Sequence, residues 1–334
     1  MDKKERLNIA NINYEQVKEL IQGKLIDRTL DVEYEDLSEV LFGEGNCFNS
    51  SEVRKRMYGM KRLIEIIEGD ETFEDFQNIK TRILSISDLH YPFHKDISIF
   101  KEYVGKVDVL QLNGDLIDCT QLSSFNKTFR TSPIEEMIGV RQYLIDLIEM
   151  IKPKRVVVNY GNHELRLGAY LAKNIDNEIQ ELMPETALDY IFIDGFTHYD
   201  RRTKAKIKYE PLVDVFEDID INYTGTWWSQ IGKTIFAHPR TFSSVPMKTA
   251  EKAAIWFRNE GADFDSLIMS HTHRVGFYKI GNTSIYEQGA CCETDKMLYN
   301  DGNLINSQKQ GFMYICQDSE GRIIPTRTKM IALN

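Results

Sequence analysis

Four stretches of the chain share one build: an apolar run, a tight turn, then side chains able to hold a metal. Val156–Asn159 leads into Tyr160-Gly161-Asn162-His163-Glu164. Ile83–Ser87 leads into Asp88-Leu89-His90. Val107–Leu112 leads into Asn113-Gly114-Asp115, and Leu267–Ser270 into His271-Thr272-His273. His238 also ends an apolar run, so these places hold five of the seven histidines. Short apolar runs bounded by turns predict strands. In open α/β sheets, ligands bind beyond the carboxyl ends of the strands. The pattern therefore predicts one pocket into which these residues converge.

Asp, His and Asn donors on loops suit a borderline divalent ion such as Mn²⁺, Fe²⁺ or Zn²⁺, and the chain has no Cys-x-x-Cys pair to build a structural zinc site. Two such ions ~3.5–4 Å apart need a bridging ligand, which a carboxylate at a strand end can be. The pair would bring the pKa of a shared water toward ~7 and neutralise phosphate oxygens during an in-line displacement. The donor types point to metal-assisted hydrolysis of a phosphate ester.

The elements that must position these groups are legible around them. Residues 1–80 read as a separate helical module. It has candidate helices over Tyr14–Gln22 and Tyr34–Leu41, with Gly43 and Gly45 as stop signals. Asn49, with Glu52 three residues on, predicts a capping box for a third helix. Val53, Met57, Met60, Ile64 and Ile67 form its apolar stripe. Lys55 and Arg62 fall on the opposite face, flanked by Arg54 and Lys61. A short helix, a glycine-containing turn and a longer basic helix resemble a helix-turn-helix; a solvated face on a small appendage is the plainer reading. Asp70, Glu71, Glu74 and Asp75 mark an acidic link, and residues 81–334 read as the main domain.

Within that domain a helix is predicted over Asp96–Val104. Ser132-Pro133-Ile134-Glu135 is a helix start by cap, proline and acidic third position. Ile134, Met137, Ile138, Leu144, Ile145, Ile148 and Ile151 are its expected buried face, and Lys152-Pro153 its stop. Another helix should run after Glu164 to about Asn174. Residues 185–222 read as an irregular insertion, carrying Arg201, Arg202, Lys204, Lys206 and Lys208. Short strands dominate from Thr226, apart from a helix over Lys248–Glu260, and Gly311–Thr328 reads as a final hairpin around Ser319-Glu320-Gly321.

With 334 residues and 42% hydrophobic content, the chain can bury a large core beside a small module. A net charge of −10 speaks against a wholly basic nucleic-acid-binding surface, though not against a local patch. Five irregularly spaced cysteines suit a reducing compartment. There is no apolar run behind the N-terminus and none approaching ~18 residues. The expectation is a cytoplasmic protein without a membrane span.

Taken in order, Asp88-Leu89-His90, Gly114-Asp115, Gly161-Asn162-His163-Glu164, His238 and His271-Thr272-His273 resemble the motifs of the calcineurin-like metallophosphoesterases. The likeness spans roughly residues 82–290. It implies a four-layer α/β/β/α sandwich, here with a small N-terminal helical domain. It also implies two divalent metal ions, Mn²⁺ first among the candidates. Asp88, His90 and His273 would hold one metal, Asn162, His238 and His271 the other, and Asp115 would bridge. His163 would face the substrate and stabilise or protonate the leaving oxygen. Ser270 stands where the family usually has glycine.

Phosphoprotein phosphatases of the family carry Asp-Arg-Gly where this chain reads Asp118-Cys119-Thr120, which weighs against that class. The DNA-repair nucleases are nearer in type. They start at the Asp-x-His strand and end in an extension that docks an ATPase, and no such ATPase partner is expected here. The architecture resembles stand-alone phosphodiesterases of phages and bacteria. The leading expectation is a nuclease-like phosphodiesterase acting on nucleic acid. Arg54, Lys55, Lys61 and Arg62 would help to hold DNA, and the basic run 201–208 would meet substrate phosphates. The alternatives are a phosphodiesterase or phosphatase on a small molecule such as a cyclic nucleotide, and a DNA- or partner-binding protein with secondary catalysis. Asp118 and Glu164 read as supporting groups. His94 reads as a rim residue or an ordinary loop histidine, and Trp227-Trp228 as sheet packing or a base-stacking platform.

Overall fold

The structure is a computed structural model, and it describes residues 14–43, 45–68, 79–123, 130–297 and 308–333. The chain divides into two compact units, Met1–Ile79 and Lys80–Asn334. The first contains α1 (Tyr14–Ile21), α2 (Ser38–Phe42) and α3 (Ser50–Glu68). Asn49 caps α3, its Oδ1 accepting the Glu52 N–H at 3.0 Å. The Glu52 side chain pairs forward with Arg56 at 3.1 Å. Val53, Met57 and Ile64 are buried against Ile21, Leu25, Val32, Leu37 and Leu41, with Met60 partly buried beside them. The side chain of Ile67 and the acidic stretch at 70–75 lie outside the described residues. Arg54, Lys55 and Arg62 are exposed, and Lys61 is half-buried.

The second unit is built on two sheets. Its strands are β1 (Thr81–Ile86), β2 (Val109–Asn113), β3 (Arg155–Asn159), β4 (Phe196–Asp200), β5 (Ala205–Tyr209), β6 (Asp220–Tyr223), β7 (Trp228–Ile231), β8 (Thr234–Ala237), β9 (Ser266–Met269), β10 (Val275–Ile280), β11 (Thr283–Gln288), β12 (Gln310–Gln317) and β13 (Lys329–Leu333). One sheet has the order β13-β12-β1-β2-β3-β6 and the other β10-β11-β9-β8-β7. β1, β2, β3 and β6 run parallel, as do β8, β9 and β11. Each motif thus leaves its sheet at the carboxyl end of a parallel strand.

The sheets meet through Ile83, Val109, Val157, Met313 and Ile315 on one side and Phe236, Ile268 and Tyr286 on the other. Behind the site a polar ladder joins them. Asn159 Nδ2 donates to Asn113 Oδ1 at 2.8 Å, Asn113 Nδ2 to Ser270 Oγ at 2.7 Å, and Ser229 Oγ to Gln111 Oε1 at 3.0 Å. The Ser270 hydroxyl thus links the sheets at the end of β9.

Helix α4 (Pro133–Ile151) starts at Ser132, whose Oγ accepts the Glu135 N–H, and ends at Lys152. Its buried face is rotated from the expected one. Glu136, Val140, Tyr143 and Leu147 join Met137, Leu144, Ile148 and Ile151, while Ile134, Ile138 and Ile145 are half-buried. Apolar spacing alone could not register a buried glutamate. Helices α5 (Leu165–Asn174) and α6 (Lys248–Asn259) follow. The stretch 185–222 is not irregular: β4 and β5 form an antiparallel hairpin there, with Phe196 opposite Tyr209. The final hairpin pairs β12 with β13, and its return strand begins later than expected. No helix among the described residues is long and apolar enough to cross a membrane.

Phe236 is fully buried between the sheets. Phe236→Ala should lower the free energy of unfolding by ~3–5 kcal/mol, read as an earlier denaturation midpoint at an unchanged slope.

Candidate active site

The structure brings Asp88, His90, Asp115, Asn162, His163, His238, His271 and His273 together at the carboxyl edges of the two sheets. Their loops are tightly bent. Asp88, His90, Asp115, His271 and His273 all have φ between +45° and +74°. Non-glycine residues rarely adopt such conformations, and they persist only where the surroundings enforce them. Two glycines make the crossing possible. A Cβ on Gly114 would lie 2.6 Å from His238 Nδ1, and one on Gly161 would strike the Asp115 carboxylate.

Glu164 enforces the bend. It does not cap its own helix. Its carboxylate instead accepts the N–H groups of Asp115 (3.0 Å), Leu116 (2.6 Å), Ile117 (3.3 Å) and Gly161 (2.7 Å). Burial, with the nearby Asp115 charge, pushes Glu164 up to about 7, against the pull of these N–H groups.

Asp88 Oδ1 lies 3.1 Å from His273 Nε2, and the Nε2 atoms of His90 and His273 face each other at 3.1 Å. Asp115 Oδ2 lies 3.2 Å from His238 Nε2 and 3.7 Å from both His90 Nε2 and His163 Nε2. The possible metal-ligating atoms of Asp88, His90 and His273 lie within 4.8 Å of one another, as do those of Asp115, His238 and His271. His90, Asp115 and His163 form a third such group.

The electrostatics are those of a crowded ionic cluster. Burial opposes ionisation of Asp88, but His273 and His238 hold it well below the usual carboxylate range. Asp115 is likewise lowered, by His163 and His238 against burial. Burial also opposes charging of His90 and His238. Hydrogen bonds to Asp118 and Asp88 nonetheless carry His90 up to about 9, and the Asp115 and Asp88 charges carry His238 to about 10. His271 is pushed down to about 3 by burial and then by the His238 charge. His163 falls to about 4, by burial first.

A fit test for metal comes from atoms left without partners. Asn162 Oδ1 and His271 Nε2 are buried and make no hydrogen bond among the described residues, and His238 Nε2 faces the Asp115 carboxylate at 3.2 Å. Stranding a buried polar group costs ~1–3 kcal/mol, and a cation beside the Asp115 carboxylate would relieve that cost at His271 Nε2. The outer ring atom of His238 is held: its Nδ1 donates to the Asn113 carbonyl at 2.9 Å. Such bonds fix the tautomer that leaves Nε2 free for a metal.

Asp118, expected as a supporting group, takes His163 Nδ1 at 2.9 Å and lies 3.3 Å from His90 Nδ1. His94 is outside the cluster; it stacks on Tyr91 at 4.6 Å and meets Tyr143 edge-on. Trp227 and Trp228 pack on Phe257, the sheet-packing alternative. The five basic residues of 201–208 lie on the exposed turn and strand of the β4–β5 hairpin. Asp200 accepts the Arg202 N–H there, and Lys208 pairs with Glu210.

Three neighbours were not foreseen. Arg166 reaches His163. Phe242, 43% exposed, stands edge-on to His271 at 5.9 Å, with Arg274 over its ring. Glu136 accepts the Thr120 N–H at 2.9 Å and also the Thr120 hydroxyl, bracing the loop that carries Asp118. Only for Arg166 was a signal available, its position three residues after His163.

The calcineurin-like phosphoesterase family model matches residues 81–275, more than half of the chain. The chain belongs to the calcineurin-like phosphoesterases. No curated protein matches it. Among solved structures it is similar to an archaeal phosphodiesterase, with 15% identity, a TM-score of 0.37, and 75% of this chain and 99% of that one covered. It is also similar to vacuolar protein sorting 29 from Cryptosporidium parvum, with 13% identity, a TM-score of 0.37, and coverage of 77% and 100%. A metallophosphoesterase from Sphaerobacter thermophilus gives 12% identity, a TM-score of 0.32, and coverage of 76% and 88%. Likenesses at these scores carry no argument about activity.

Two outcomes test the scaffold. Glu164→Gln should place an amide NH₂ against backbone donors, costing ~1–3 kcal/mol per stranded group and reducing metal uptake in elemental analysis. Glu136 is pushed up to about 7 by burial, against its Thr120 hydrogen bonds. A folded-state pKa above the unfolded value means that stability is lost as pH rises through that window. Glu136→Gln should therefore raise the melting temperature above pH 7 and leave little difference below about pH 4.5, the ordinary value for the group.

Proposed function

We propose that this phosphoesterase is a two-metal phosphodiesterase whose substrate is nucleic acid. The observation that carries the metal reading is that the possible ligand atoms of Asp115, His238 and His271 lie within 4.8 Å of one another, with His271 Nε2 buried and without a hydrogen bond among the described residues. In this reading Asp88, His90 and His273 would hold one ion, Asn162, His238 and His271 would hold the second, and Asp115 would supply a carboxylate to both. When bound, the ions supply Lewis acidity toward phosphate oxygens and lower the pKa of a water. Mn²⁺ is the first candidate.

The remaining work falls to the chain. Asp118 holds His163 by Nδ1, so Nε2 is the ring atom presented to the substrate. A bound phosphate anion raises the proton affinity of that imidazole, and Nε2 is where a proton passes to the leaving oxygen.

The nucleic-acid part of the reading rests on local positive charge in a chain of net charge −10. The hairpin offers Arg201, Arg202, Lys204, Lys206 and Lys208, and α3 offers Arg54, Lys55, Lys61 and Arg62. Exposed Phe242 adds a stacking face beside His271. A small diester such as a cyclic nucleotide is the competing substrate, and it needs none of these charges.

Asp115→Asn should lose most bound metal and activity, by elemental analysis and turnover. His163→Ala should keep its metal and lose about 10²–10⁴-fold in turnover; loss of metal in that variant would put His163 among the ligands. The substrate test compares Mn²⁺-loaded protein on single- and double-stranded DNA, RNA, a cyclic nucleotide and a phosphomonoester, across a salt series. Polymer binding should weaken with a log–log slope of about −0.7 to −0.9 per phosphate contacted. Neutralising the hairpin should raise KM for polymer more than for a small diester. Salt-independent activity with equal effects on both would favour the small diester.

A further inference from the structure

We infer that Arg166 is a substrate-binding residue whose guanidinium grips a non-bridging oxygen of the ester that His163 serves. The inference rests on the phosphoesterase reading above and assigns a specific contact within it.

Arg166 is the second residue of α5, three residues after His163, and its backbone N–H donates to the His163 carbonyl at 3.0 Å across the turn that opens the helix. Its Nη1 donates to the Asp118 carbonyl oxygen at 2.6 Å, and its Nη2 lies 2.9 Å from His163 Nε2. Guanidinium has five N–H donors and no acceptor. The Nη2–Nε2 contact is therefore a donation from Arg166 to the imidazole lone pair. The group it occupies is the one the leaving oxygen has to approach.

The charge of Arg166 is only loosely matched. The Asp118 carboxylate is engaged at 2.9 Å by His163 Nδ1 and stands 3.8 Å from Arg166 Nη1. The closer bond of Nη1 is to a neutral carbonyl. The side chain is 16% exposed, which leaves it an opening toward solvent. An incoming phosphate with its leaving oxygen at His163 Nε2 has another oxygen within one hydrogen-bond length of Nη2. Exchanging a neutral imidazole acceptor for an anionic oxygen gives a shorter, charge-assisted bond. It also frees Nε2 for the leaving oxygen. Cys119, buried on the same loop as Asp118, brings no cation there.

The experiment compares Arg166→Gln, Arg166→Lys and His163→Ala with wild type, all loaded with Mn²⁺. Two diesters are used, one with a p-nitrophenyl and one with an unsubstituted phenyl leaving group. Metal content and binding of inorganic phosphate by calorimetry are measured on the same samples. Arg166→Gln should keep its metal, bind phosphate more weakly, and lose about 10²–10³-fold in kcat/KM, equally on both esters. Arg166→Lys should recover part of that loss. His163→Ala should lose more on the phenyl ester, whose leaving group needs the proton more. A loss in Arg166→Gln that follows the leaving group as His163→Ala does, or unchanged phosphate binding, would overturn the contact and make Arg166 only a support for His163. Loss of metal in Arg166→Gln would overturn it as well. Wild-type protein that holds Mn²⁺ and binds phosphate but hydrolyses neither ester would instead sink the phosphoesterase reading beneath it.

Discussion

The carboxylate of Glu164 accepts four backbone N–H groups, from Asp115, Leu116, Ile117 and Gly161, and so ties the loop after β2 to the loop after β3. Asp115, Asn162 and His163 stand where that clamp sets them. The left-handed backbone at Asp115 is costly alone, at about 1–3 kcal/mol for such a conformation, and charge-assisted hydrogen bonds offset it. The close crossing also explains why both loops carry glycine: at Gly114 and Gly161 a side chain would meet His238 or Asp115.

Charge is the second constraint. Asp88, Asp115 and Asp118 are all buried, and a buried carboxylate needs an opposite charge close by. In the protein alone, protonated His90 and His238 provide it, which is why both are raised, while burial first, and then the charge of these two, lowers His163 and His271. Divalent ions would take over that compensation, with proton release as the expected accompaniment of binding. One arrangement of donors thus serves the folded chain and prepares it for metal.

The two sheets are linked differently at their centre and behind the site. Phe236, Ile83 and their neighbours form an apolar interior. Nearer the motifs, Asn113, Asn159, Gln111, Ser229 and Ser270 interlock by directional bonds. Apolar contacts tolerate small slips, whereas amide and hydroxyl pairs do not. That difference suits a site assembled from both sheets, where Asp115 from one and His238 from the other lie 3.2 Å apart.

The local sequence determined the strand-turn pattern, the start of α4 at Ser132-Pro133, the apolar stripe of α3 and the eight residues that converge. Each depends on neighbours in sequence, or on side-chain chemistry that survives any packing. The tertiary structure decided what depends on residues far apart in the chain. The N–H donors to Glu164 lie up to 49 positions away, so its role as a clamp, not a cap, had no local signature. The burial of Glu136 turned on Thr120, the contact of Arg166 on a carbonyl at Asp118, and the ordered hairpin at 196–209 on strand pairing. Phe242 is one aromatic among many until the fold sets it beside His271. Donor type is a property of the residue; distance, exposure and charge balance arise only when separate strands are brought together.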